Sequence, residues 1–179
     1  MFFLNKKKEL LWILEHKAIY TGGTSSDKKD IIDTKIKIKK TNRGGKYTCH
    51  GPGQKVIYIV LNLNKRKKDI RILLNKIENC IIQILKDINI KSFKDKKNIG
   101  IWVKYKKKTK KIAAIGIRIK KWVAFHGFAL NINNDLSMYK KIIPCGIKDK
   151  GVTSLKELGI TDYKNMNKII IKNSLNIFH

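Results

Sequence analysis

Three patterns predict one α+β domain spanning residues 1–179, a sheet covered by flanking helices. Short apolar runs of strand length stand at Leu10–Leu14 and 56–63, Ile and Lys alternate over 34–39, and over 69–88 apolar residues recur at intervals of three and four. The first two patterns are those of strands, buried and half-solvated in turn. The third is that of an amphipathic helix laid on a sheet. Strand runs on both sides of one long helix in a 179-residue chain point to a mixed class, and that length buries roughly two thirds of the surface of the unfolded chain.

Taken in order, the run LLWIL ends in Glu15-His16 and reads as a buried strand. TGGTSSDKKDI after it is turn chemistry: Gly22 and Gly23 tolerate positive φ, while Ser, Thr and Asp hydrogen-bond nearby backbone. The strand at 34–39 then runs into NRGGKYTCHGPGQ. In that loop Gly44, Gly45, Gly51 and Gly53 let backbone approach a ligand, Arg43 offers a fixed cation, and His50 donates or accepts a hydrogen bond. The run at 56–63 reads as a central strand closed by the exposed cluster NKRKKD. On the helix 69–88, Ile70, Leu73, Leu74, Ile77, Ile81, Ile84, Leu85 and Ile88 form the apolar stripe, and Cys80 among them reads as core. Strand resumes at 101–103, and YKKKTKK reads as a hairpin turn leading into Lys111, with Lys106, Lys107, Lys108 and Lys110 as surface charge. Near the end, Thr153 or Ser154 caps a short helix stopped by Gly159. Thr161 or Asp162 caps a last one with Tyr163, Met166, Ile169 and Ile170 inward.

Composition excludes several classes. No run reaches the ~18 uncharged apolar residues of a membrane span. The N-terminus lacks the charge order of a secretory signal, so a cytoplasmic protein is expected. Three cysteines without CxxC spacing argue against a disulfide framework and against a zinc site, and no metal ligand set is assigned. The net charge of +28 invites a nucleic-acid reading, but only four of the 41 basic residues are arginines and the lysines run through nearly every segment. That pattern fits a solvated, compositionally biased surface, whose basic face would speed encounter with an acidic protein partner.

The chemistry lies between Lys111 and Gly146. Cys145 stands in Pro-Cys-Gly, where Pro144 fixes its own φ and Gly146 tolerates a turn, so the sulfur is presented at a bend. A thiolate is the nucleophilic form, and a nearby ammonium lowers the thiol's pKa from its free value of about 8.5. Lys111 is the candidate ammonium, and together the two are the parts of an acyl-transfer site.

KIAAIGIRI, WVAFHGFALNIN, DLS, PCGI and RGGKYTCHGPGQ closely resemble the octanoyltransferase of lipoate biosynthesis, the lipoyl(octanoyl) transferase family, over residues 9 to 147. The resemblance implies a mixed sheet like that of the catalytic domain of biotin and lipoate protein ligases, here with a shortened N-terminus, since eight residues precede Glu9. It implies that Cys145 and Lys111 are catalytic. It assigns Arg43, Gly44, Gly45, Lys46, Tyr47, Thr48, Cys49 and His50 to binding the acyl chain and its thioester end. Ala114, Ile115, Gly116, Gly127, Phe128 and Ala129 touch the acyl group, and Tyr20, Thr21, Gly23, Thr24 and Ser25 line the edge. Cys49 departs from the family pattern, which carries an aromatic before the histidine; it is taken as a substitution in the pocket wall rather than as the nucleophile. The reaction implied moves an octanoyl group from octanoyl-acyl carrier protein to a lysine of a lipoyl domain in 2-oxoacid dehydrogenase complexes or the glycine cleavage H protein, with no cofactor. The alternative in the same fold is an ATP-dependent lipoate or biotin protein ligase, and the third reading is a basic RNA-binding protein.

Overall fold

The computed structural model describes residues 2–3, 9–146 and 150–178, with residues 2, 3 and 145 as backbone only. The strands are β1 (Phe2–Phe3), β2 (Leu10–Leu14), β3 (Ile19–Gly22), β4 (Ile38–Lys40), β5 (Tyr47–His50), β6 (Gln54–Asn62), β7 (Ser92–Lys94), β8 (Ile101–Tyr105), β9 (Lys108–Lys120), β10 (Val123–Asn131) and β11 (Gly151–Val152). The helices are α1 (Ile70–Lys86) and α2 (Met166–Phe178). The large sheet runs β1-β2-β6-β10-β9-β8-β7 with antiparallel neighbours, and β11 joins β9 in parallel. A small sheet, β4-β3-β5, is parallel between β3 and β4 and antiparallel between β3 and β5. The mixed α+β architecture is thus the one the sequence predicts.

The pleat divides the large sheet into two functional faces. Residues opposite each other in an antiparallel pair share a face. On β6, Ile57, Ile59 and Leu61 are fully buried in the core cluster that also holds Leu73, Ile77, Ile81, Ile84 and Leu85 of α1 and Ile170 of α2. The helices therefore cover this side. Val56 and Tyr58 point the other way, opposite Ala129 and Gly127 of β10, which in turn stand opposite Ala114 and Gly116 of β9. This second face meets the small sheet.

Asp69 caps α1, its carboxylate accepting from the N–H groups of Arg71 and Ile72. Cys80 packs in the core with its thiol 3.7 Å from the Ser174 hydroxyl of α2, as the periodicity predicts. An ion pair clamps the far end of the sheet. Glu9, 2% exposed, receives two hydrogen bonds from the Arg66 guanidinium, which also donates to the Phe178 carbonyl that ends α2.

Several boundaries differ from expectation, each for a local reason. Residues 34–36 form a turn, because the Asp33 carboxylate accepts from Lys35 N–H and its carbonyl from Ile36 N–H, and strand begins only at Ile38. In β2 only Leu11 is fully buried, and Trp12 is 46% exposed, since one face of this strand is open. Ile70 lies outside the apolar stripe, exposed in the first turn of α1. The hairpin after β8 turns at Lys106 and Lys107, both at positive φ, so Lys111 sits inside a strand rather than at its start. The helix expected after Ser154 is a turn, with Ser154 Oγ accepting from Glu157 N–H and Gly159 at φ +86 closing it.

Candidate active site

A cavity of about 260 Å³ opens between the second face of the large sheet and the small sheet. Its floor is apolar: Ala114, Ile115 and Gly116 of β9, Gly127, Phe128 and Ala129 of β10, and Val56 of β6. All six residues of the two predicted triplets line it. Its roof is Ile19 and Thr21 of β3, Lys39 of β4 and Thr41 just after it, Arg43, Gly45 and Lys46 of the glycine-rich loop, and Tyr47, Thr48 and His50 of β5.

The glycines explain how the roof reaches the floor. Gly44 N–H donates to Ile117 O at 3.1 Å, and a Cβ on Gly44 would stand 2.7 Å from that oxygen. A Cβ on Gly116 would meet Gly44 O at 3.2 Å. Bare backbone on both sides lets the loop lie directly on β9. The loop is held by Arg43, which donates to the Thr21 carbonyl and hydroxyl and to Gly44 O, and by main-chain bonds from Gly23, Thr24 and Ser25 to Lys46 O, Arg43 O and Gly45 O. Of the five residues expected at the edge, Thr21 lines the cavity. Gly23, Thr24 and Ser25 brace the loop from behind, and Tyr20 donates to Met138 O. Gly44 likewise braces rather than lines.

The rim carries three histidines around Tyr58. His16 Nε2 lies 2.9 Å from Tyr58 Oη, the His16 and His50 rings are 5.6 Å apart, and His126 Nε2 is 2.7 Å from Asn42 Oδ1. Burial disfavours the charged form of all three: His50 is lowered to about 4, while His16 and His126 are lowered by desolvation and then by the cations Lys39, and Arg43 with Arg118, respectively. His126 has φ +66, a backbone state rarely taken by a residue with a side chain, and the ladder from β10 to β6 skips it and Phe125. His16, Tyr58 and His126 are absent from the site residues that the sequence predicts. A phenol inside the apolar run VIYIVL and a histidine closing ELLWILEH are the signals that mark two of them.

Lys111 does not line this cavity. Its side chain is buried, its Nζ donates to Ile99 O at 2.9 Å and stands 4.8 Å from the centre of the Trp102 ring, a cation–π contact. Gly100, at φ +128, gives it room, for a Cβ there would lie 3.1 Å from Lys111 Cε. On the other flank, Val152 of β11 pairs with Lys111, and Thr153 N–H donates to Lys111 O.

Pro144–Gly146 forms a single turn closed by Gly146 N–H to Ile143 O, so the bend expected at Cys145 is present in the backbone; the sulfur lies outside the described atoms. The ammonium found at that bend is Lys46: a Cβ on Gly146 would stand 2.4 Å from its Nζ. Lys46 is fixed there by the buried Asp30 carboxylate at 3.0 Å. Asp30 O in turn accepts from Ile143 N–H, which ties the turn to the same support. A second hollow of about 420 Å³, lined by Ile143, Pro144 and Lys150 to Val152 among others, flanks the turn on the side of the Lys111 strand.

The two described thiols are inert. Burial pushes Cys49 up to about 12 and Cys80 up to about 11, so neither is a thiolate near neutral pH. Cys49 is 2% exposed and is absent from the cavity lining; its carbonyl faces Tyr139 Oη. Among the described residues no group of three or more His, Cys, Asp or Glu is arranged to hold a metal ion, and no helix is long and apolar enough to cross a membrane.

Comparison with known proteins places the chain in a family. The chain is 51% identical over 157 residues, 87% of its own length and 77% of the relative's, to an octanoyltransferase of Wolbachia pipientis subsp. Culex pipiens. It is 45% identical over 172 residues, 95% of its length and 80% of the relative's, to an octanoyltransferase of Ehrlichia chaffeensis. In fold it matches a lipoate-protein ligase A bound with ATP at TM-score 0.77 and 15% identity, over 97% of this chain and 74% of that one. A structure described as a bipartite lipoate protein ligase and its E2 lipoyl domain from Thermoplasma acidophilum matches at TM-score 0.76 and 13% identity, over 97% of this chain and 72% of that one. The model of the lipoyl protein ligase A/B catalytic domain matches residues 3–172, and the chain belongs to that family.

Proposed function

We propose that the chain transfers an octanoyl group from octanoyl-acyl carrier protein to a lysine of lipoyl domains, through a thioester on Cys145. The chain is an acyltransferase of protein lipoylation, as its identity to octanoyltransferases over most of its length indicates. The observation that supports the finer reading is the apolar floor made by Ala114 to Gly116 and Gly127 to Ala129, a surface an acyl chain can lie against, roofed by the Arg43 loop.

In the first half-reaction the Cys145 thiolate attacks the carrier thioester, and the carrier thiol leaves with a proton. One thioester replaces another at little cost in bond energy. In the second half, the acceptor amine takes the acyl group as an amide, a downhill step that traps the product. Lys111, seated against Trp102 and Ile99 O outside the acyl cavity, is the lysine that the family resemblance assigns to holding the thiolate and exchanging protons with the leaving thiol and the incoming amine. Lys46, beside Gly146, adds a second positive charge at the bend. Inertness of Cys49 and Cys80 supports Cys145 as the carrier sulfur. The lipoyl proteins of 2-oxoacid dehydrogenases and the glycine cleavage H protein are the acceptors, and the cytoplasm is where carrier and acceptors meet.

The test is a lipoyl domain incubated with octanoyl carrier protein and the chain, with ATP and without. Octanoylation of the domain without ATP is expected. Transfer that requires ATP, with octanoate in place of the carrier, would mark a ligase instead.

A further inference from the structure

Hydrogen-bond direction fixes which nitrogen of His50 carries its proton. Thr153 O, a main-chain carbonyl, only accepts, so the Asn131 group 2.9 Å from it is the amide Nδ2 and Asn131 Oδ1 faces the other way. Asn131 Oδ1 accepts from Gln54 Nε2 at 2.8 Å, and the second hydrogen of that Nε2 goes to Tyr139 Oη at 2.9 Å. Both Gln54 donors are thereby used, and its Oε1 is the atom 2.6 Å from His50 Nδ1. An amide oxygen cannot donate, so Nδ1 does. The neutral ring then has a bare Nε2, on a residue that lines the cavity.

We propose that this relay, anchored beside the Lys111 strand, holds His50 as the Nδ1–H tautomer so that Nε2 accepts a hydrogen bond from the acceptor lysine's amine and aims its lone pair at the acyl carbon. This rests on the transfer reaction proposed above. As the C–N bond forms, the C–S bond breaks; sulfur leaves with the electron pair and takes up the proton that nitrogen gives up. His50 needs only to accept a hydrogen bond, not to keep the proton. Its burial, with Arg43 and His16 as the cationic or titratable groups acting on it, leaves the lone pair available throughout the neutral range. Thr153 N–H bonds Lys111 O, so one short segment positions both the lysine strand and the far end of the relay.

Two measurements on the whole chain test this. Long-range proton–nitrogen correlation on histidine-labelled protein at pH 7 reads the tautomer directly. The Nδ1–H pattern is expected for His50, its loss in Asn131→Ala is expected too, and an Nε2–H pattern in the unsubstituted chain overturns the proposal. His50→Asn keeps a donor for Gln54 and, being shorter, leaves no acceptor at the position of Nε2. In this variant transfer onward to the lipoyl domain is expected to slow about tenfold to a hundredfold, and by more than acylation of the enzyme by octanoyl carrier protein slows. His50→Gln, which can place an oxygen where Nε2 stood, is expected to recover part of that loss. Unchanged transfer in His50→Asn, or equal slowing of both half-reactions, overturns the proposal. Failure of the unsubstituted chain to acquire any acyl group overturns the reaction itself and is recognised by occurring without substitution.

Discussion

Gly127 has no space for a methyl group: a Cβ there would stand 2.1 Å from Ile57 O, across the β6–β10 ladder that floors the cavity. Gly127→Ala is expected to destabilise the fold by roughly 3 kcal/mol, the upper end for overpacking, seen as a lower denaturation midpoint. Gly100→Ala should act differently. It strains a residue at φ +128 and crowds Lys111 Cε, so loss of transfer activity exceeding the loss of stability is expected, measured by single-turnover acylation beside thermal melting. The His50 pKa, lowered from 6.5 to about 4 by burial, means the unfolded chain binds a proton there that the folded chain refuses. Stability from this group is complete above pH 6.5 and is lost as pH falls toward 4, at most on the order of 3 kcal/mol, so unfolding free energy should rise with pH across that window and rise less in His50→Gln. At this scale the sequence revealed residue types and motif positions, including the six floor residues and the Arg43 loop. It could not reveal that Lys111 is sheltered under Trp102, that Lys46 is the ammonium at the Pro-Cys-Gly bend, or that Cys49 faces away from the cavity. Those depend on side-chain direction across strands far apart in sequence.

Elements register on each other through a few buried polar ties. Glu9, at the entry to β2, meets Arg66 beyond β6, and Arg66 meets the carbonyl ending α2, so one ion pair closes three elements. Glu9→Ala would leave a half-buried guanidinium with the Phe178 carbonyl as remaining partner and is expected to cost roughly 1–3 kcal/mol in chemical denaturation. Removing the Asp69 cap costs about 1 kcal/mol by comparison. Element type was legible wherever periodicity ran long: α1 and β6 fall within two residues of their predicted spans. Short segments were not. The Asp33 turn overrode the alternation of 34–39, and the two-lysine hairpin carries none of the Asn or Gly that usually announce such turns. The small sheet β4-β3-β5 could not be read from pattern, because three or four residues hold too few alternations to define a face.

The whole molecule joins a helix-covered sheet face, which stabilises, to an opposite face that is left hollow under a glycine-rich roof. Its +28 charge acts at the same scale. Attraction between a basic surface and an acidic carrier is screened over about 8 Å at 0.15 M salt. KM for octanoyl carrier protein is therefore expected to rise several-fold as salt is raised, with kcat little changed, whereas small octanoyl thioesters should show no such dependence. The α+β class was legible because each face-forming residue had its own local pattern. The order β1-β2-β6-β10-β9-β8-β7 was not, because pairing across long loops leaves no local trace. The proposed chemistry depends most on one sulfur. Peptide-level mass analysis of the chain after brief exposure to octanoyl carrier protein, in the absence of acceptor, locates the acyl group: attachment of one octanoyl group at Cys145, lost in Cys145→Ser, is the predicted result, and attachment at Cys49, at Cys80 or at no cysteine would contradict it.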